Sequence, residues 1–130
     1  VLDTCTFLDL DRIDPADLPA VPELTAVTLA ELHHGVAMAQ DARSRAARTE
    51  LLGAAIVEFD PLPFDGAAAA RYGSLVALVV AAGRSPKPRR MDLMVASIAS
   101  VRSLPLYTRN AEDFRHLDEV VAVVEVRLRT

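Results

Sequence analysis

Short extended-type runs alternate with helix-type runs along the whole chain, and this alternation limits the fold more than any single motif. Val1–Leu2 reads as the end of a strand, "LTAVT" (Leu24–Thr28) as a β-branched strand and "IVEFDPLP" as a strand ending at Asp60. Pro105–Thr108 and "VAVVEV" (Val121–Val126) read as two more. Between them lie helical patterns. Thr4–Asp9 is a short one, and Leu29, Leu32, Val36 and Ala39 share a face of the next. Residues 43–59 form a third, with Ala46, Leu51 and Ala54 near one side. Asp65–Gly83 is a long helix with a glycine stop, and Met94, Val95, Ile98 and Val101 face inward from another. A short helix is expected near Ala111–Leu117. Such alternation predicts an α/β domain with a parallel sheet covered on both faces. In such sheets, ligands sit beyond the carboxyl ends of the strands.

The chain has 130 residues, which suits a single domain over 1–130. Hydrophobic residues make up 52%, yet aromatics are few and Trp is absent, so Ala, Val, Leu and Ile must build the core. "GSLVALVVAAG" is far shorter than the ~20 residues that cross a bilayer, so a buried helix is expected there and no membrane contact. No basic stretch followed by an apolar one opens the sequence, which begins at Val rather than Met. Cys5 is alone, which excludes an internal disulfide and fits a reducing, cytoplasmic setting. The net charge of −4 argues against a broad basic face for nucleic acid. A polyanion would need a local patch or a metal.

The strand-end rule selects four acids. Asp3 ends the first strand, and Glu31 is expected in the first turn of the helix after the second. Asp92 opens the helix before "PLYT", and Asp113 lies in the first turn after it. Each also has a purely structural reading. Asp3 can cap a helix, Thr28–Glu31 and Asn110–Asp113 have the spelling of capping boxes, and Asp92 can complement a helix dipole. Together they say more. Carboxylates within ~4–6 Å of one another repel and raise one another's pKa, and a divalent cation relieves this. Hard oxygen donors completed by water suit Mg²⁺ or Mn²⁺. Such a metal lowers the pKa of a bound water and neutralises a phosphodiester.

Four ordered stretches, "LDT" (Leu2–Thr4), "TLAEL" (Thr28–Leu32), "RMDLMVASIA" (Arg90–Ala99) and "TRNAEDF" (Thr108–Phe114), give the chain a resemblance to PIN-domain ribonucleases of the VapC toxin type. The resemblance spans essentially the whole chain. It implies a three-layer α/β/α fold around a parallel sheet of about five strands. It also implies RNA cleavage dependent on Mg²⁺ or Mn²⁺, a VapB-type antitoxin partner, and a homodimer or toxin–antitoxin hetero-oligomer. The target RNA could be a tRNA or an rRNA loop. Carried over by position, Asp3 and Asp92 are metal ligands, and Glu31 and Asp113 hold a second metal or orient water. Thr4, Thr108 and Asn110 support them. Cys5 is a departure, because the family commonly has Ser or Asn there.

Other residues carry weaker signals. Cys5 reads as a half-buried packing residue, with carboxylates raising its pKa. His33 and His34 point about 100° apart on a helix and read as solvated or partner-facing rather than as a zinc pair. Arg43, Arg45 and Arg48 read as a solvated face, and Asp9, Asp11, Asp14 and Asp17 as a solvated acidic loop. The basic loop with Arg84, Lys87, Arg89 and Arg90 leads straight to Asp92 and is the candidate RNA grip. A phosphate-accepting receiver domain is excluded, because Lys87 is the only lysine and does not follow a strand. A structure-specific DNA nuclease would need room for a helical arch. The alternative kept open is a non-catalytic PIN-like module that binds RNA or protein.

Overall fold

In the computed structural model, which describes residues 1–129, successive side chains of each extended segment go to opposite sides of one layer. Val1 and Leu106 join one hydrophobic cluster, while Leu2 joins another and Tyr107 packs against it. The layer between these clusters is a parallel sheet. Strands β1 (Leu106–Thr108) and β2 (Val123–Glu125) pair in register Leu106 to Val123 and Thr108 to Glu125. Leu2 forms a parallel bridge to Tyr107, and Thr25 forms one to Leu62. The Leu2 N–H reaches Glu23 O at 2.9 Å. Five extended segments therefore lie in the order Leu62, Thr25, Leu2, β1, β2. The expected parallel layer is present, but only β1 and β2 pair as strands; the other three segments join it through single bridges or one hydrogen bond, so the expected five strands are two here.

Helices α1 (Thr4–Leu8), α2 (Ala26–Ala37) and α3 (Ala42–Glu58) contribute Phe7, Leu32, Leu52 and Ala55 to the Leu2 cluster. Helices α4 (Gly66–Ala81) and α5 (Arg90–Val101) contribute Leu75, Val79, Leu93 and Ile98 to the other. The result is the predicted α/β/α sandwich. Helix α5 is buried along nearly its whole length because Ala96, Ser97, Ala99 and Ser100 let α4 and the sheet come close. The buried hydroxyls are satisfied: Ser97 donates to Leu93 O at 2.6 Å and Ser100 to Val120 O at 2.8 Å.

Several boundaries differ from expectation, each for a local reason. Leu24–Thr28 is not a strand throughout. Thr25 caps α2 by accepting the Thr28 N–H at 3.1 Å, so the helix starts one turn early. "IVE" is the end of α3 rather than a strand, because Leu52 and Ala55 carry the packing face through the β-branched pair. The buried face of α3 is thus Leu52 and Ala55, while Ala46, Leu51 and Ala54 are exposed. Helix α4 is buried only through Ala68, Leu75 and Val79 and leaves Leu78 and Val80 in solvent. Its end is as expected. Gly83 sits at φ +77°, its N–H bonding Val80 O at 2.9 Å, with Arg84 N–H on Val79 O at 3.0 Å. Three-residue 3-10 turns occupy Leu10–Arg12, Pro15–Asp17 and Lys87–Arg89, and a four-residue one replaces the expected helix at Ala111–Phe114. Among the described residues, no helix is long and apolar enough to cross a membrane.

Candidate active site

Asp3 lies at the carboxyl end of the central segment, and both of its oxygens are engaged. Oδ1 accepts the Thr6 N–H at 2.9 Å, which caps α1. Oδ2 accepts the Thr108 hydroxyl at 2.5 Å, from the end of β1. The cap and the ligand readings of Asp3 are thus not alternatives; capping aims the carboxylate. Thr108 Oγ1 in turn accepts the Asn110 N–H at 2.9 Å. Thr6, fully buried, accepts the Arg109 N–H at 3.1 Å and ties the segment after β1 back to α1. Thr6, like Thr4, is a hydroxyl residue beside Cys5 that could stand in for the family's Ser or Asn, and here it serves as a tie between elements. Its signal was present, since a threonine three residues after a capping acid points back at the same turn.

Glu31 is in the second turn of α2 rather than the first, since Thr25 and not Thr28 is the cap. The capping-box reading of Thr28–Glu31 therefore fails. Instead Glu31 Oε1 accepts the Thr4 hydroxyl at 2.6 Å, so Thr4 links the first acid's helix to the second acid. Asp92 lies in the first turn of α5, as expected, on a helix without a side-chain cap. Asp113 lies in the 3-10 turn after β1, and Asn110 precedes it without a capping side-chain bond, which corrects the second capping box. The other three acids act electrostatically on Asp92. Burial pushes its pKa up to about 6, reinforced by the charges of Asp113, Asp3 and Glu31, with Arg89 opposing. Arg89 Nε is buried without a hydrogen-bond partner.

Cys5 is exposed, not half-buried. Partial desolvation on the side facing the protein and the charges of Asp3, Asp92 and Glu31 nevertheless raise its pKa, which favours the thiol and argues against the nucleophile reading. His33 and His34 are both exposed, as expected. Arg45 and Arg48 are not merely solvated. Arg45 donates to Ala39 O at 2.9 Å and Arg48 to Gly35 O at 2.7 Å, closing the carboxyl end of α2. Asp9 departs from the solvated acidic loop, because it pairs with Arg109. Asp11, Asp14 and Asp17 are exposed, and Asp14 caps its own turn by accepting the Ala16 N–H. Arg84 and Arg89 are partly buried; Lys87 and Arg90 are exposed.

The donor chemistry fits a hard divalent cation. The convergent groups are carboxylates, with no imidazole among them, and their mutual repulsion is what positive charge would relieve. Among the described residues, no three His, Cys, Asp or Glu side chains close around one point. Asp3 and Asp92 would then supply the protein ligands and water the rest of the shell, as Mg²⁺ prefers.

A parallel α/β/α sandwich with acids at the carboxyl edge of its sheet is the architecture of an α/β domain that binds its ligand at that edge. The sequence is 34% identical over 131 residues to Ribonuclease VapC5 of Mycobacterium tuberculosis (strain ATCC 25618 / H37Rv), covering 98% of this chain and 94% of that protein. The structure is similar to a solved VapBC-5 toxin–antitoxin structure from Mycobacterium tuberculosis (35% identity, TM-score 0.83, 98% of this chain and 96% of that one). It is also similar to FitAcB from Neisseria gonorrhoeae (29% identity, TM-score 0.75, 95% of each chain). No family model matches. The chain belongs to the VapC family of PIN-domain ribonuclease toxins.

Proposed function

We propose that this chain is a metal-dependent endoribonuclease and the toxin of a toxin–antitoxin pair. The observation that carries the reading is the convergence of Asp3, Glu31 and Asp113 on Asp92, at the sheet edge where α/β domains bind ligands. Asp3 and Asp92 would hold Mg²⁺ or Mn²⁺. When bound, the metal would neutralise the attacked phosphodiester and acidify a water. Thr108 and the Thr6 N–H hold Asp3 in one orientation, and Thr4 does the same for Glu31, so the acids need not reorganise during reaction. Glu31 and Asp113 would orient the attacking water. The Arg89 charge lowers the Asp92 pKa and so favours the ionised carboxylate that a cation needs. The expected products carry 5′-phosphate and 3′-hydroxyl ends.

An antitoxin of the VapB type is the expected partner. A groove of about 360 Å³ beside the acids is lined by Leu8, Leu32, Met38 and Leu51, with Glu31 and Arg48 among its polar residues. An amphipathic helix could lay its apolar side there and bring a basic residue to Glu31. The first experiment is a calorimetric titration of Mn²⁺ into the protein and its Asp3→Asn and Asp92→Asn variants. Binding by the parent and its loss in both variants supports the reading. Equal binding by all three would sink it.

A further inference from the structure

The loop that links α4 to α5 is chemically one-sided. Residues 83–90 contain three arginines, the only lysine and no acid, in a chain of net charge −4. Two of the cations are tied to backbone: Arg84 donates to Glu112 O and Arg89 to Ser85 O, both at 3.3 Å. The other two, Lys87 and Arg90, are exposed and take no part in an ion pair among the described residues. Between these two opens a cavity of about 300 Å³, lined by Lys87, Pro88, Arg90, Met91 and Met94. Its lining thus combines a proline ring and two thioethers with two cations.

Met91 and Met94 are three residues apart on α5 and so lie on one face, flanking Asp92 in sequence. Met94 also packs against the core, but Met91 is 41% exposed and is not among the residues packed in either cluster. A large apolar side chain held open between two unpaired cations matches a ligand with both a flat apolar body and negative charge. An unstacked nucleotide has both. Its base offers a π-face to polarisable sulfur, and its flanking phosphates offer anions. An acidic peptide would use the cations and leave the apolar lining empty.

We infer that this cavity is a nucleobase subsite, which takes one base of single-stranded RNA against Pro88, Met91 and Met94 while Lys87 and Arg90 hold the flanking phosphates. The inference rests on the ribonuclease reading and deepens it. The cations supply affinity without regard to sequence, and the cavity supplies preference for a base. Because Met91 and Met94 lie in the first turns of α5, the seated base is close in the chain to Asp92.

The test uses binding, so that it does not depend on cutting. Full-length Asp3→Asn protein is titrated by fluorescence anisotropy against 12-nucleotide oligo(U), oligo(C), oligo(A) and an abasic ribose-phosphate strand of equal length. Met91→Ser in the same background should weaken binding of the preferred homopolymer by about fivefold or more and leave the abasic strand unchanged. Lys87→Ala should weaken all four strands alike and lower the salt slope by about one. Met91→Ser lies on the helix surface, and an unchanged melting temperature confirms its fold. The inference is overturned if the parent fails to distinguish the strands, if it binds none of them, or if Met91→Ser leaves the differences intact. Competition by polyglutamate with a silent Met91→Ser also overturns it, in favour of an acidic peptide surface. Failure of the ribonuclease reading shows itself separately: wild-type protein with Mn²⁺ would cut no RNA although the base preference and its loss in Met91→Ser persist.

Discussion

The acids around Asp3 and the cations around Lys87 are neighbours through a single turn of α5, yet they are held in opposite ways. Asp3 is buried, and each of its oxygens has a partner on a different element. Glu31 is fixed by Thr4. Lys87 and Arg90 are exposed and unpaired among the described residues. The difference fits the two proposed tasks. Chemistry at a phosphodiester tolerates little misplacement, so its groups are held on rigid elements. Gripping a variable polyanion works through long, mobile charges whose energy falls off gently with position.

The largest expected effect breaks the rigid side. Asp3→Asn keeps the α1 cap, because an amide oxygen can still accept the Thr6 N–H. It should nevertheless lower RNA cutting by about 10²-fold or more, with the circular-dichroism spectrum unchanged. Wild-type cutting rates in the variant would refute the assignment of the acids. Thr108→Val comes next. It strips a hydrogen bond from Asp3 and leaves the Asn110 N–H without its acceptor, so urea unfolding should show a loss of about 2 kcal/mol. A loss well under half of that would mean that water replaces the hydroxyl and the clamp is loose.

A smaller effect, of opposite sign, belongs to Asp92. Its pKa is about 6 in the fold, above the usual carboxylate value, so the folded state binds this proton more tightly than the unfolded chain. The stability it contributes is fully present below about pH 4 and lost as pH rises through about 6. Metal-free Asp92→Asn should therefore be more stable than the parent at pH 7, by about 1 kcal/mol after allowance for solvent screening. The gap should close near pH 4 in thermal melts taken across that range. Adding Mn²⁺ at pH 7 should reverse the order. The smallest effect concerns the loop's launching point. Gly83→Ala forces a side chain into a left-handed conformation and should cost about 1 kcal/mol or less, with open space around the new methyl. A larger loss would show that the loop is less adaptable than its exposed cations imply.

The places of the acids in the elements were legible, apart from the turn that holds Glu31, because local rules recognise the end of a strand-like run and the first turns of a helix. The helix starts were less legible. Thr25 and Thr28 can both cap, and only pairing with Leu62 holds Thr25 extended and chooses it. "IVE" has β-branched residues, but α3 runs through it, since Leu52 and Ala55 already lie on the Leu2 cluster. Arg45 and Arg48 look like a solvated face until α3 folds back along α2 and brings them to its open carbonyls. The Asp9–Arg109 pair joins residues a hundred positions apart, and nothing local announces it.

The sequence by itself determined the α/β class and the order of the segments, and it singled out the acids proposed to serve a hard cation. These depend on the period of apolar residues and on donor chemistry, and both are written in consecutive positions. Tertiary structure alone decided that the four acids share one edge and that Thr6 and Thr108 clamp Asp3 from two sides. It also opened the cavity between Lys87 and Arg90. Each of these is a distance between residues far apart in the chain or on different faces of a turn, and such distances exist only once the sheet has brought its carboxyl ends together.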